Sequence, residues 1–176
     1  MLRDLKHATA ALQLRLRSVR SALHAFQVRR IDLEAWLMFK RILVPLDFTD
    51  KNLRALEVAR EIALQNRASV ALLHVIETVE HLPFDELKSF YAKLEATARS
   101  RMDMPACMLL QKGLVVDPEV VYGKRAEEIV KYAAANEVDL IVMSSHKIGP
   151  DQPGHGWATI SYKVAVLAQC PVLLVK

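Results

Sequence analysis

Residues 40–67, KRILVPLDFTDKNLRALEVAREIALQNR, carry two hydrophobic rhythms joined by a polar turn. KRILVPLD is a short apolar run ending in a carboxylate, the pattern of a strand buried on both faces. After Asp47 the rhythm becomes helical, with Leu53, Leu56, Ala59, Ala63 and Leu64 expected on the inner face and Thr49 or Asp50 as the N-cap. Strand, polar turn and helix make the first part of a βαβ unit.

The same alternation continues downstream. ASVALLHVIE (68–77) reads as a second buried strand, and FDELKSFYAKLEATARSRM (84–102) as a helix after a loop around Pro83. VDPEVVYG (116–123) is the third strand, KRAEEIVKYAAANE (124–137) the next helix, and DLIVMSS (139–145) the fourth strand. TISYKVAVLAQ (159–169) and PVLLV (171–175) close the pattern as helix and strand. Strands separated by helices predict an α/β protein with a mainly parallel sheet, right-handed crossovers and helices on both faces. Ligands of such sheets bind beyond the carboxyl ends of the strands, where strand order reverses. Those ends are PLD at 45–47, HVIE at 74–77 and MSSHK at 143–147.

At 176 residues, 52% hydrophobic and 25% charged, the chain suits one well-cored domain with an appendage. The domain is expected over 38–176 and the appendage over 1–37. Leu5, Leu12, Leu16, Val19, Leu23 and Phe26 give the appendage the spacing of an amphipathic helix with a basic polar face. Three readings of it stay open: a helix packed on the body or a partner, a helix on a membrane surface, or an upstream extension, Met38 being a candidate initiator. Residues 1–37 hold seven of the 24 basic and three of the 20 acidic side chains, so the whole excess of +4 lies there. A neutral body argues against nucleic acid as a partner. No apolar stretch has the length of a membrane span and no secretory signal stands at the N-terminus, so a soluble, cytoplasmic protein is expected. Cys107 and Cys170 lack ligand or disulfide spacing and are expected to be buried, reduced thiols.

KRILVPLDFTDKNLRALEVAREIA, SVALLHVIE, VVYGKRAEEIVKYAAANEVDLIVMSSHK and CPVLLVK together resemble the universal stress protein family, in order and at its separations, over residues 38–176. The resemblance implies a five-stranded sheet of order 3-2-1-4-5, the adenine nucleotide alpha hydrolase-like fold. It implies a homodimer in which the C-terminal strands pair, and ATP or AMP, with Mg2+, as ligand. The family's nucleotide binders use an aspartate after the first strand and a loop of Gly, two residues, Gly, nine residues, Gly-Ser or Gly-Thr. Asp47 matches the aspartate; Pro45, Val75 and Met143 match neighbouring pocket positions. Ser144, Lys147 and Ala158 stand where the three glycines would, with ten residues between the last two, and Thr159 and Ile160 follow at the hydroxyl position and the next. Glycine serves there because no Cβ keeps a phosphate from the backbone. Lys147 adds a long cationic side chain instead, while Pro150 and Pro153 have no N–H to give.

Gly149-Pro-Asp-Gln-Pro-Gly154 begins like a P-loop, but His155-Gly156 replaces its Lys-Ser/Thr. His74 reads as a partly buried, satisfied histidine, and His146 and His155 as solvated loop residues. Gly123 permits a strand-to-helix turn beside Lys124 and Arg125, which could approach a phosphate. No nucleophile, base and orienting group share a recognisable spacing, so a non-enzymatic role is expected. Two functions remain: a nucleotide-binding regulatory module, or a dimeric interaction protein without nucleotide, working through a regulatory protein partner.

Overall fold

The computed structural model describes residues 38–79, 87–145 and 159–176. The N-terminal helix expected over 1–37, the Pro83 loop, His146, Lys147, the proline-containing segment, His155 and Ala158 lie outside these residues. Within them are β1 (Arg41–Pro45), α1 (Lys51–Asn66), β2 (Ser69–Ile76), α2 (Lys88–Leu110), β3 (Val116–Tyr122), α3 (Arg125–Ala135), β4 (Leu140–Ser144), α4 (Ile160–Leu167) and β5 (Val172–Val175). The strands form one sheet of order β3-β2-β1-β4-β5, parallel throughout.

The uninterrupted apolar runs are explained by burial on both sides of this sheet. In β1, Ile42 and Val44 join the layer beneath α1 and α2, while Leu43 joins the opposite layer with α3 and α4; all three are fully buried. In β2, Leu72 and Ile76 go to the first layer, and Leu73 and Val75 to the second. Side chains at the N-terminal side of the sheet tie the chain together. Asn66 Oδ1 accepts the Met38 and Phe39 N–H groups at 2.9 and 3.3 Å, and the Asp139 carboxylate accepts those of Lys40 and Arg41 at 2.7 and 3.2 Å.

Three local expectations are corrected. The buried stripe of α1 is Asn52, Ala55, Leu56, Ala59 and Ala63, whereas Leu53 and Leu64 are exposed. Asp50 holds the N-cap position of α1, one of the two expected there, but its side chain makes no capping bond, and the Thr49 hydroxyl donates back to Asp47. Helix α2 does not stop at Met102 but runs to Leu110 through Pro105. A proline costs a helix one hydrogen bond, but Met102, Pro105, Ala106 and Leu109 are all buried, and that apolar face carries the helix onward. Cys107 falls on the exposed side of the same extension, and Cys170 is half-buried; both are free thiols. No helix among the described residues is long and apolar enough to cross a membrane.

The chain passes from β1 outward to β2 and β3, then crosses to the other side of β1 for β4 and β5. Strand order therefore reverses between β1 and β4. A crevice is expected beyond the carboxyl ends of those two strands.

Candidate functional site

A cavity of about 530 Å³ opens there, within the size range of small-molecule sites. Pro45 and Asp47 reach it from the end of β1, Val75 from β2, Met143 and Ser144 from β4, and Thr159 and Ile160 from the start of α4. Seven of the nine expected site residues thus line one cavity. The other two, Lys147 and Ala158, lie outside the described residues.

The Asp47 turn is held from several sides. Its backbone N–H donates to Asn52 Oδ1 at 3.0 Å. Its carboxylate Oδ1 accepts the Thr49 N–H at 3.0 Å and the Thr49 hydroxyl at 2.7 Å. Asp47 is exposed, so its carboxylate is accessible to a ligand. Partial burial pushes the Asp47 carboxyl up, but the hydrogen bonds from Thr49, with the Asn52 amide beside it, outweigh this and leave it below the usual value. It is a carboxylate at neutral pH, an acceptor for hydroxyl or amino groups.

Phe48, next in the turn, has a left-handed backbone with φ 60°, rare for a large side chain. Its neighbours keep it there. The Phe48 ring stacks on His74 at 4.3 Å, the Arg101 guanidinium lies 4.8 Å from the ring centroid, and Arg101 donates to the Phe48 carbonyl at 2.9 Å. His74 Nδ1 contacts the Leu46 carbonyl at 2.8 Å. A carbonyl only accepts, so Nδ1 carries the proton. Burial foremost, with Arg125 and Arg101 nearby, lowers the His74 pKa against that bond, so the ring is neutral at pH 7. His74 is the satisfied, half-buried histidine expected from sequence, and here it clamps the turn bearing Asp47.

Across the cavity, Thr159 caps α4: its backbone is extended and its Oγ1 accepts the Tyr162 N–H at 3.3 Å. Ser161, which is buried, places its hydroxyl 3.2 Å from Thr159 Oγ1 and 3.4 Å from Ser145 Oγ. Oxygen and N–H groups therefore gather at a helix start, a favourable place for an anion. Of the two cations near Gly123, Arg125 lines the cavity and pairs with Glu77 at 2.9 Å; Lys124 does not line it. Lys51 adds a further positive charge to the rim. The apolar walls, single carboxylate and donor-rich far end suit a flat, hydroxyl-bearing molecule with an anionic tail. Among the described residues, no group of three or more His, Cys, Asp or Glu side chains is placed to hold a metal.

Sequence reasoning missed Asn52, Ser145 and Ser161. Asn52 had a signal, since it falls on the buried stripe of α1. The two serines approach one another only through the fold.

A parallel sheet with its crevice at the β1/β4 reversal defines the class as a doubly wound α/β protein. Residues 38–176 match the family model for the universal stress protein family, and the chain belongs to that family. It is 31% identical over 145 residues to universal stress protein MJ0531 of Methanocaldococcus jannaschii, covering 79% of this chain and 83% of that protein. The solved structure of UspA from Lactobacillus plantarum is 26% identical, with a TM-score of 0.66 over 78% of this chain and 98% of the other. A universal stress protein solved in complex with cAMP shares the fold, with a TM-score of 0.59 and 21% identity over 79% of this chain and 98% of the other.

Proposed function

We propose that this chain binds an adenine nucleotide, AMP or ATP, in the β1/β4 cavity and acts as a regulatory module rather than as an enzyme. The observation that carries the reading is the convergence of Pro45, Asp47, Val75, Met143, Ser144, Thr159 and Ile160, from four separate segments, on one cavity. The cAMP complex of a protein sharing the fold adds support for the ligand class. In this reading the apolar walls receive the base, the Asp47 carboxylate accepts ribose hydroxyls, and the phosphates face the start of α4. Mg2+ would enter with a polyphosphate, since Asp47 is the one carboxylate on the cavity wall among the described residues.

The module works in the cytoplasm as a homodimer, joined through β5, whose signal a regulatory protein partner reads. Strand β5 ends the sheet with one edge unpaired among the described residues. Exposed Tyr162, Val166, Leu167 and Leu173 accompany that edge on α4 and β5. An apolar edge strand favours pairing with a second copy. The basic segment 1–37 is a separate extension whose packing and membrane-surface readings stay open.

Calorimetric titration with AMP and with ATP in magnesium buffer tests the ligand. The wild-type protein is expected to bind at least one nucleotide saturably, and Asp47→Ala to bind it at least about 30-fold more weakly, as befits loss of a charged acceptor. Unchanged affinity in the variant would remove Asp47 from the site. No heat with either nucleotide at millimolar concentration would favour the interaction protein without nucleotide, the reading suggested by Ser144 in a glycine position.

A further inference from the structure

Two polar side chains are buried among the described residues, Asn52 at 4% exposure and Ser161 at 7%. Asn52 connects the two strand ends that form the crevice. Its Oδ1 accepts the Asp47 N–H at 3.0 Å, and its Nδ2 donates to Ser144 Oγ at 3.2 Å. Because a backbone N–H only donates, the first bond fixes the amide's orientation and presents its nitrogen to Ser144. A hydroxyl that accepts from an amide keeps its own proton to donate. No described residue takes that proton, and Ser144 lines the cavity.

We infer that Asn52 is a positioning residue that fixes the Ser144 hydroxyl as a donor to a phosphate oxygen of the bound nucleotide. This rests on the nucleotide reading above and deepens it. Glycine at position 144 would let a phosphate approach the backbone; serine blocks part of that approach with its Cβ and supplies an O–H instead. Left alone, the hydroxyl would turn among several partners. The bond from Asn52 occupies one lone pair and restricts where the proton points, so less ordering remains when the ligand arrives. The same amide holds the Asp47 turn, so the two ends of the ligand are read by side chains sharing one buried anchor. The device favours nucleoside phosphates over nucleosides.

The experiment compares AMP and adenosine affinities in the wild type, Asn52→Ala, Ser144→Ala and the double variant. The preference for AMP over adenosine is expected to fall about tenfold in each single variant and no further in the double, the signature of two groups acting as one unit. Ser144→Ala should leave adenosine affinity within about twofold. Asn52→Ser, which retains a short hydroxyl near the Asp47 N–H but not the reach to Ser144, serves in place of Asn52→Ala if that variant does not fold, with the same expectation. Equal loss of AMP and adenosine binding in the Asn52 variant would make it a structural support only and overturn the inference. An unchanged preference in Ser144→Ala would do so as well, by removing the donor. Failure of the wild type to bind either compound would instead strike at the nucleotide reading, and this inference would fall with it.

Discussion

Leu72→Ala is expected to destabilise the fold by about 3 kcal/mol, lowering Tm by roughly 10 °C. Leu72 lies in β2 with no exposed surface, its backbone in register with Val44 of β1 and Pro118 of β3. Its side chain belongs to the layer under α1 and α2. Truncation there loses transfer free energy and leaves a void that a parallel sheet covered on both faces is poorly able to close. Leu56→Ala, at 4% exposure on α1, should fall in the same class, while Leu53→Ala, at 42%, should cost less than about 1 kcal/mol. Denaturant unfolding of the three variants measures this directly. Comparable losses at Leu53 and Leu56 would mean that α1 is rotated about its axis relative to the arrangement described here.

Gly123→Ala is expected to cost about 2 kcal/mol, more than an ordinary surface substitution. Gly123 joins β3 to α3 with φ 145°, a conformation that a residue with a Cβ rarely adopts. The added methyl would also sit 2.6 Å from Glu128 Cγ and 2.9 Å from its Oε1. The two causes separate in a double variant. Glu128→Ala removes the collision at the cost of a half-exposed ion pair with Lys131 at 3.6 Å and of one acidic side chain in the first turn of α3, a loss the single Glu128→Ala variant measures. Gly123→Ala/Glu128→Ala should therefore recover part of the loss and retain the part due to backbone strain. Full recovery would show that the backbone relaxes freely; no recovery would show that Glu128 swings aside without cost. Arg125 follows two residues later and lines the cavity, so the same strain should reach the site wall.

The strands were legible in the sequence because each is a dense apolar run bounded by polar residues, and burial on both faces forces that composition. Strand order was a different matter. No local pattern says on which side of β1 the chain returns, and the 3-2-1-4-5 order came from the resemblance of four ordered segments to a family. The inner face of α1 was misread because Leu53 and Leu64 outweighed smaller residues. The face that packs is lined mainly by alanines, which let the helix lie close to the sheet, and Asn52 continues their stripe at helical spacing. The extension of α2 past Met102 was not legible, since it runs through Pro105, where burial on the same face offsets the missing hydrogen bond. At the site, the strand pattern located the ends that carry Asp47, Val75 and Met143, and the family resemblance singled out those three residues. The Ser145–Ser161 contact and the Asn52 bridge to Ser144 span 16 and 92 residues of sequence, beyond any local rhythm.

The most direct measurement of the central claim is a map of backbone amide shifts on titrating isotope-labelled protein with AMP. Saturable shifts concentrated in residues 46–49, 75–77, 143–145 and 159–161 are the expected result, because those segments meet at the cavity. Shifts absent at millimolar AMP and again at millimolar ATP, or gathered on the outer faces of α4 and β5 instead, would contradict a nucleotide site at the β1/β4 crevice.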